Sequence, residues 1–213
     1  MLSACSVEST PAADRFGVTG ELIALSGAGA GAGNACMTCH GLNGRGDGAG
    51  VPRLASLDPG YLDRQLEDYA EGRRRHPEMS WIAGQLTARQ RLAVSHYFAA
   101  MAYEPTGGTG SSASAPKLYT SGDPGRGIPA CASCHGLVGQ GLGPANPPLA
   151  GQPASYLAQQ IHSWRYARRR NDPGNAMLEI SQRLTDREAE VLAAYASGLS
   201  GDARRPKSAA ASR

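Results

Sequence analysis

The sequence predicts an all-α fold built twice in tandem, and three observations lead there. First, the chain repeats itself: sliding Cys36–Arg75 onto Cys131–Arg170, 95 residues further on, leaves 17 identities in 40 positions. Second, apolar residues recur at helical spacing in both copies, and no convincing alternating stretch marks a strand. Third, glycine and proline, 28 and 14 of the 213 residues, divide those stretches with long loops.

The elements follow in order. Residues 1–15 read as a leader remnant or tether, 16–103 as the first domain and 117–200 as the second. Residues 104–116 form a Gly/Ser-rich linker, and 201–213 lack apolar periodicity and read as a disordered tail. In each domain a helix is expected over Tyr61–Arg75 and Tyr156–Arg170, carried by Tyr61, Leu62, Leu66 and Tyr69 and by Tyr156, Leu157, Ile161 and Trp164. After a three-residue insertion the offset becomes 98, which aligns Met79 with Met177, Leu86 with Leu184 and Thr87 with Thr185. Thr87-x-x-Gln90 and Thr185-x-x-Glu188 are capping boxes that open the last helix of each copy.

Composition excludes several classes. Twenty-one Lys+Arg against 18 Asp+Glu give a formal charge of +3, too mild and too dispersed for a protein built around nucleic acid. No run of 18 apolar residues occurs, so the chain as given holds no spanning helix. With two Phe, two Trp and eight Tyr, the chain is short of large apolar side chains, and something else must supply hydrophobic bulk.

The cysteines identify it. They fall at Cys5, in Cys36-Met37-Thr38-Cys39-His40 and in Cys131-Ala132-Ser133-Cys134-His135. Cys-x-x-Cys-His is the attachment signature of c-type haem. One helical turn presents two thiols to the two vinyl groups of a porphyrin, and the adjacent imidazole faces the iron. Zinc and thiol exchange also use Cys-x-x-Cys. A four-Cys zinc site would need neither histidine, and its knuckles usually lie closer than 95 residues. A thioredoxin-like pair needs a βαβ pattern that is missing here. Two covalently attached haem c groups are the reading, held by Cys36/Cys39 and Cys131/Cys134.

These motifs, the Pro-x-Leu loops and the methionines before the last helices resemble the dihaem cytochrome c4 family, over roughly Gly20 to Leu199. The cytochrome subunits of flavocytochrome and dehydrogenase complexes are similar. The resemblance implies two class I cytochrome c domains paired face to face about a pseudo-two-fold axis. It implies a periplasmic carrier that passes single electrons between respiratory complexes, towards a terminal oxidase, and is itself no enzyme. A dedicated subunit of a periplasmic dehydrogenase is the alternative; a dihaem peroxidase is a further one and requires an exchangeable iron ligand.

His40 and His135 supply one axial ligand each. Met79, 39 residues after His40, and Met177, 42 after His135, are the candidates for the other, on loops able to cross the opposite haem face. Core packing is the competing role for both. His76 could ligate in the first copy, but the second offers no histidine between Arg170 and Met177. His/Met ligation raises the potential relative to bis-His. In the family resembled, Pro52 and Pro147 offer a backbone carbonyl to the ligating imidazole while Leu54 and Leu149 pack on the porphyrin; rigid turns are the plainer reading.

Arg73–Arg75 and Arg168–Arg170 have three readings: cations at a helix C-terminus, partners for haem propionates or a docking face for an acidic redox partner. His96 and His162 read as surface or core histidines. With four propionates the formal +3 falls to about −1 when both haems are reduced and returns to about +1 when both are ferric, so any partner preference comes from local patches. Leu2-Ser3-Ala4-Cys5 resembles a lipobox without the charged and apolar regions that should precede it, which leaves two readings of Cys5: an acylated anchor, or an incidental residue of a leader.

Overall fold

The computed structural model describes residues 19–103 and 116–201. Cys5, residues 1–15, most of the 104–116 linker and nearly all of the 201–213 tail lie outside the described residues. Ten α-helices are described: α1 Gly20–Ser26, α2 Cys36–His40, α3 Pro59–Ala70, α4 Pro77–Gly84 and α5 Ala88–Ala99 in the first half, then α6 Lys117–Thr120, α7 Cys131–His135, α8 Ala154–Arg165, α9 Ala176–Arg183 and α10 Asp186–Ser197. Two isolated β-bridges are the only extended pairing among the described residues.

Local chemistry sets the boundaries. Thr19 caps α1 by accepting from the Leu22 N–H, and Asp58 caps α3 by accepting from the Tyr61 N–H. Both expected capping boxes form: Thr87 with Gln90 opens α5, and Thr185 with Glu188 opens α10. The helices expected to run to Arg75 and Arg170 stop sooner, at Ala70 and Arg165. Gly72 at φ 75° and Ala167 at φ 54° turn the chain out of the helix, so the arginine triplets lie in extended segments beyond it.

In the first half α3 packs on α4 and α5, and α1 on α5; in the second α8 packs on α9 and α10. Ile23, Leu57, Leu62, Leu86, Val94 and Phe98 form one core; Tyr119, Ile128, Leu157, Leu184 and Leu192 form the other. Nine of the 22 buried apolar residues among those described are alanine, so few large side chains fill either core.

The halves pair through a reciprocal contact. The Arg75 N–H donates to Arg168 O at 3.1 Å, and the Arg170 N–H to Arg73 O at 2.8 Å, around an antiparallel bridge between Arg74 and Arg169. Arg74 donates to Gln65, Gln160 and the Tyr156 hydroxyl; Arg169 donates to Gln160, Gln65 and the Tyr61 hydroxyl. Arg74 stacks over Tyr69 at 4.5 Å and Arg169 over Trp164 at 3.9 Å. These partners are equivalent under the repeat, which is the pseudo-two-fold pairing expected. The middle arginine of each triplet is therefore a buried interface residue, a role none of the three sequence readings named. A second contact lies nearby: buried Gln152 accepts from the Arg53 N–H at 3.0 Å and donates to Arg53 O at 2.9 Å.

Candidate haem sites

Each site starts from one turn of helix. In α2, Cys36 is half-buried against the first core, Cys39 is exposed and His40 is buried. In α7, Cys131 is half-buried, Cys134 exposed and His135 half-buried. All four thiols are free. Burial pushes the Cys36 and Cys131 thiols up to about 11, so both are protonated at neutral pH. Among the described residues no group of three or more His, Cys, Asp or Glu could hold a metal ion, and the four cysteines form no zinc site.

The imidazoles are held alike. His40 Nδ1 lies 2.9 Å from Pro52 O, and His135 Nδ1 lies 2.9 Å from Pro147 O. A carbonyl only accepts, so Nδ1 carries the proton and the Nε2 lone pair is left for a metal. Burial lowers both histidine pKa values, which keeps the rings neutral, as a ligand must be. The loops carrying the prolines close on backbone: the Gly46 N–H donates to His40 O, and Gly141 N–H to His135 O, each at 2.9 Å.

Gly46 and Gly141, identical under the 95-residue offset, stand where these loops pass the proline carbonyls. At Gly46, φ is +73°, and a Cβ there would lie 2.3 Å from Val51 O and 2.9 Å from Pro52 O. At Gly141, φ is +77°, and a Cβ would lie 2.8 Å from Asn146 O. Only glycine lets the chain pass this close to the carbonyl that orients the histidine. The repeated glycine in each loop was the available signal.

Leu54 packs on the core that also receives Cys36, and Leu149 on the core that receives Cys131. Met79 and Met177 are half-buried, and here the structure corrects an expectation. They lie in the first turns of α4 and α9, not on loops. His76 starts α4 as its N-cap, with Nδ1 accepting from the Met79 N–H at 3.5 Å, and Pro77 follows at the first helical position. That places His76 in a capping role. Met37 and Met101 pack against the first core. His96 is exposed, and His162 lies 3.7 Å from Asp186.

The donor set fits a covalently bound c-type haem: two thiols and an imidazole on one turn, an oriented ring nitrogen, and a core with few large side chains. The family description "Cytochrome c" matches residues 27–101, and "Cytochrome C oxidase, cbb3-type, subunit III" matches 126–195. The cytochrome c4 of Pseudomonas aeruginosa is 30% identical over 189 residues, covering 86% of this chain and 94% of that protein. This chain belongs to the cytochrome c4 family.

Other family-level relatives refine the picture. A thiosulfate dehydrogenase electron acceptor of Stutzerimonas stutzeri is 39% identical over 181 residues, covering 83% of this chain and 84% of that one. The reduced recombinant cytochrome c4 of Pseudomonas stutzeri superposes with a TM-score of 0.65 at 29% identity, covering 77% of this chain and 93% of that one. The thiosulfate dehydrogenase TsdBA of Marichromatium purpuratum superposes with a TM-score of 0.71 at 40% identity, over 88% of this chain; the chain spans 40% of that protein's length. As a cytochrome c4-family protein, the chain carries two covalently attached haem c groups and is a dihaem electron carrier.

Proposed function

We propose that this carrier takes electrons from a thiosulfate dehydrogenase-type donor outside the cytoplasm and passes them on to the respiratory chain. The observation that carries the reading is graded similarity: identity is higher to the thiosulfate dehydrogenase electron acceptor than to the cytochrome c4 of Pseudomonas aeruginosa, and the same order holds among the solved structures. Covalent haem attachment takes place outside the bacterial cytoplasm, which supports a periplasmic location. Among the described residues no helix is long and apolar enough to cross a membrane. An acylated Cys5 would tether the carrier to the membrane surface; fractionation of the wild type and of Cys5→Ala tests this.

When bound, each haem supplies the one-electron couple of its iron. Cys36/Cys39 and Cys131/Cys134 would hold the two groups, with His40 and Met79 ligating one iron and His135 and Met177 the other. Pro52 and Pro147 fix the imidazole tautomer through the bonds described, and Leu54 and Leu149 close the apolar surround. Leu42 and Leu137, exposed just after each histidine, offer apolar contact area for transient docking.

Stopped-flow mixing of the oxidised dihaem protein with a thiosulfate dehydrogenase and thiosulfate tests the donor. Both haems are expected to reduce within the donor's turnover time; reduction no faster than with thiosulfate alone overturns the assignment. Met79→His and Met177→His test the ligands: each variant is expected to lower the potential of its own haem only. Unmoved potentials in both overturn the axial assignment.

A further inference from the structure

One pair of related corners breaks the symmetry of the interface. In the first corner the Asp68 carboxylate, its side chain 3% exposed, accepts from Arg73 Nε at 2.5 Å and from Asn171 Nδ2 at 2.7 Å. Gln65 Oε1 lies beside it and accepts from the same Asn171 nitrogen at 2.9 Å. The 95-residue offset relates Asp68 to Ser163, Arg73 to Arg168, Gln65 to Gln160 and His76 to Asn171. Ser163, Arg168, Gln160 and His76 therefore form the second corner. Together with Arg74 and Arg75 they line a cavity of ≈430 Å³.

One backbone bond recurs in both corners. Arg74 N–H donates to Asp68 O at 3.0 Å, and Arg169 N–H to Ser163 O at 3.0 Å. Serine takes the place of aspartate while this bond is kept, and its shorter side chain leaves the space where the carboxylate stands in the other half. Three arginines and no acidic residue are among the residues that line that space. Glu78, 3.1 Å from His76 Nδ1, is not among the lining residues. Among the described residues Arg75 makes no side-chain ion pair, and Arg168 meets only the Tyr166 ring, at 5.6 Å. Arg74 is 4% exposed, and all its described partners are neutral. Arg74 is buried while Arg75 and Arg168 are exposed, and a cleft lined by cations with no carboxylate focuses the field and concentrates anions. A planar guanidinium beside a hydroxyl suits a bidentate oxyanion.

We propose that the Ser163–Arg168 corner is an oxyanion site, in which a carboxylate- or sulfate-like group takes the place that Asp68 holds in the other half. Two sources share this chemistry: a propionate of the chain's own haem and a free oxyanion from solution. Arg168 would supply the fork and Ser163 the hydroxyl, while Arg74 and Arg75 add charge from the opposite domain. An anion here ties one domain to the other, as Asp68 does through Asn171.

Calorimetric titration of the holoprotein with sodium sulfate, against sodium chloride at equal ionic strength, separates the sources when paired with thermal unfolding of Ser163→Asp. If a solute oxyanion fills the site, sulfate binds once per chain, and Arg168→Gln and Ser163→Asp each weaken it by about tenfold or more. If a propionate fills it, sulfate does not bind, and Ser163→Asp lowers the melting temperature because two carboxylates meet. Absence of sulfate binding together with a raised melting temperature in Ser163→Asp overturns the proposal, because the new carboxylate would then be the corner's first anion. Arg187→Gln, a solvent-facing change at a side chain 84% exposed, serves as the control.

Discussion

Gly46→Ala tests the claim that close backbone approach orients the histidine. The added methyl would lie 2.3 Å from Val51 O and 2.9 Å from Pro52 O, where carbon and oxygen normally stand more than about 3 Å apart. Either the loop moves or the residue leaves its φ of +73°. Holding alanine in the left-handed region costs about 1–2 kcal/mol. Shifting the Pro52 carbonyl gives up the 2.9 Å bond to His40 Nδ1, worth about 1 kcal/mol net. The sum is about 2–3 kcal/mol, or a fall of about 4–12 °C in the melting of a chain whose two domains unfold together. Gly48→Ala is the internal control: its φ is +74°, but a Cβ there would meet nothing within 4 Å, so it carries the strain alone. Calorimetric melts of the two holoprotein variants, with a redox titration of each, make the comparison. Gly46→Ala is expected to melt clearly lower and to raise the potential of the first haem, because a ligand that loses its outer partner donates less to the iron. Equal melting temperatures and equal potentials in the two variants would refute the reasoning.

Two further outcomes are expected. Gln152→Ala strands the buried Arg53 N–H and C=O that it now pairs, at about 1–3 kcal/mol each; the two domains should then unfold in separate calorimetric steps, and a single unchanged transition would count against this contact. Glu188 is held down to about 2, from 4.5, by hydrogen bonds from Arg126 and from the Thr185 N–H. A depressed carboxylate stabilises the fold above its unfolded pKa, so the stability gap between wild type and Glu188→Gln should be full above about pH 4.5 and shrink towards pH 2. A gap that stays constant across that range in denaturant titrations would show that the pairing contributes nothing.

What could be read in the sequence was what depends on near neighbours. The haem-binding turns, the capping boxes at Thr87 and Thr185, and the repeat are all written within a few residues or at one fixed offset. The His40–Pro52 bond was expected only through the family resemblance, since residue spacing alone reads Pro52 as a rigid turn. Met79 was expected on a loop because histidine is an uncommon helix cap, so His76-Pro77 did not register as a start signal. Met177 was hidden similarly: Asn175, at φ 58°, leads into α9 without a side-chain cap. The arginine triplets were out of reach for a different reason. Their partners lie on the other domain, and only the relative placement of the halves decides whether Arg74 meets water, a cofactor or Tyr156. Arg53 and Gln152, 99 residues apart, gave no periodic signal at all.

The exchange of strands around Arg74 and Arg169 has a consequence for how large such an assembly can grow. Each half offers one donor and one acceptor to its twin and receives the same in return, so the contact is satisfied by two copies. An isologous joint of this kind has no free edge left to recruit a third unit, whereas a head-to-tail joint would extend into a filament. The covalent link between the copies fixes their ratio at one to one and makes pairing independent of concentration. The molecule is thus a closed cell holding two electrons at most. This joint therefore gives a further copy nothing to extend.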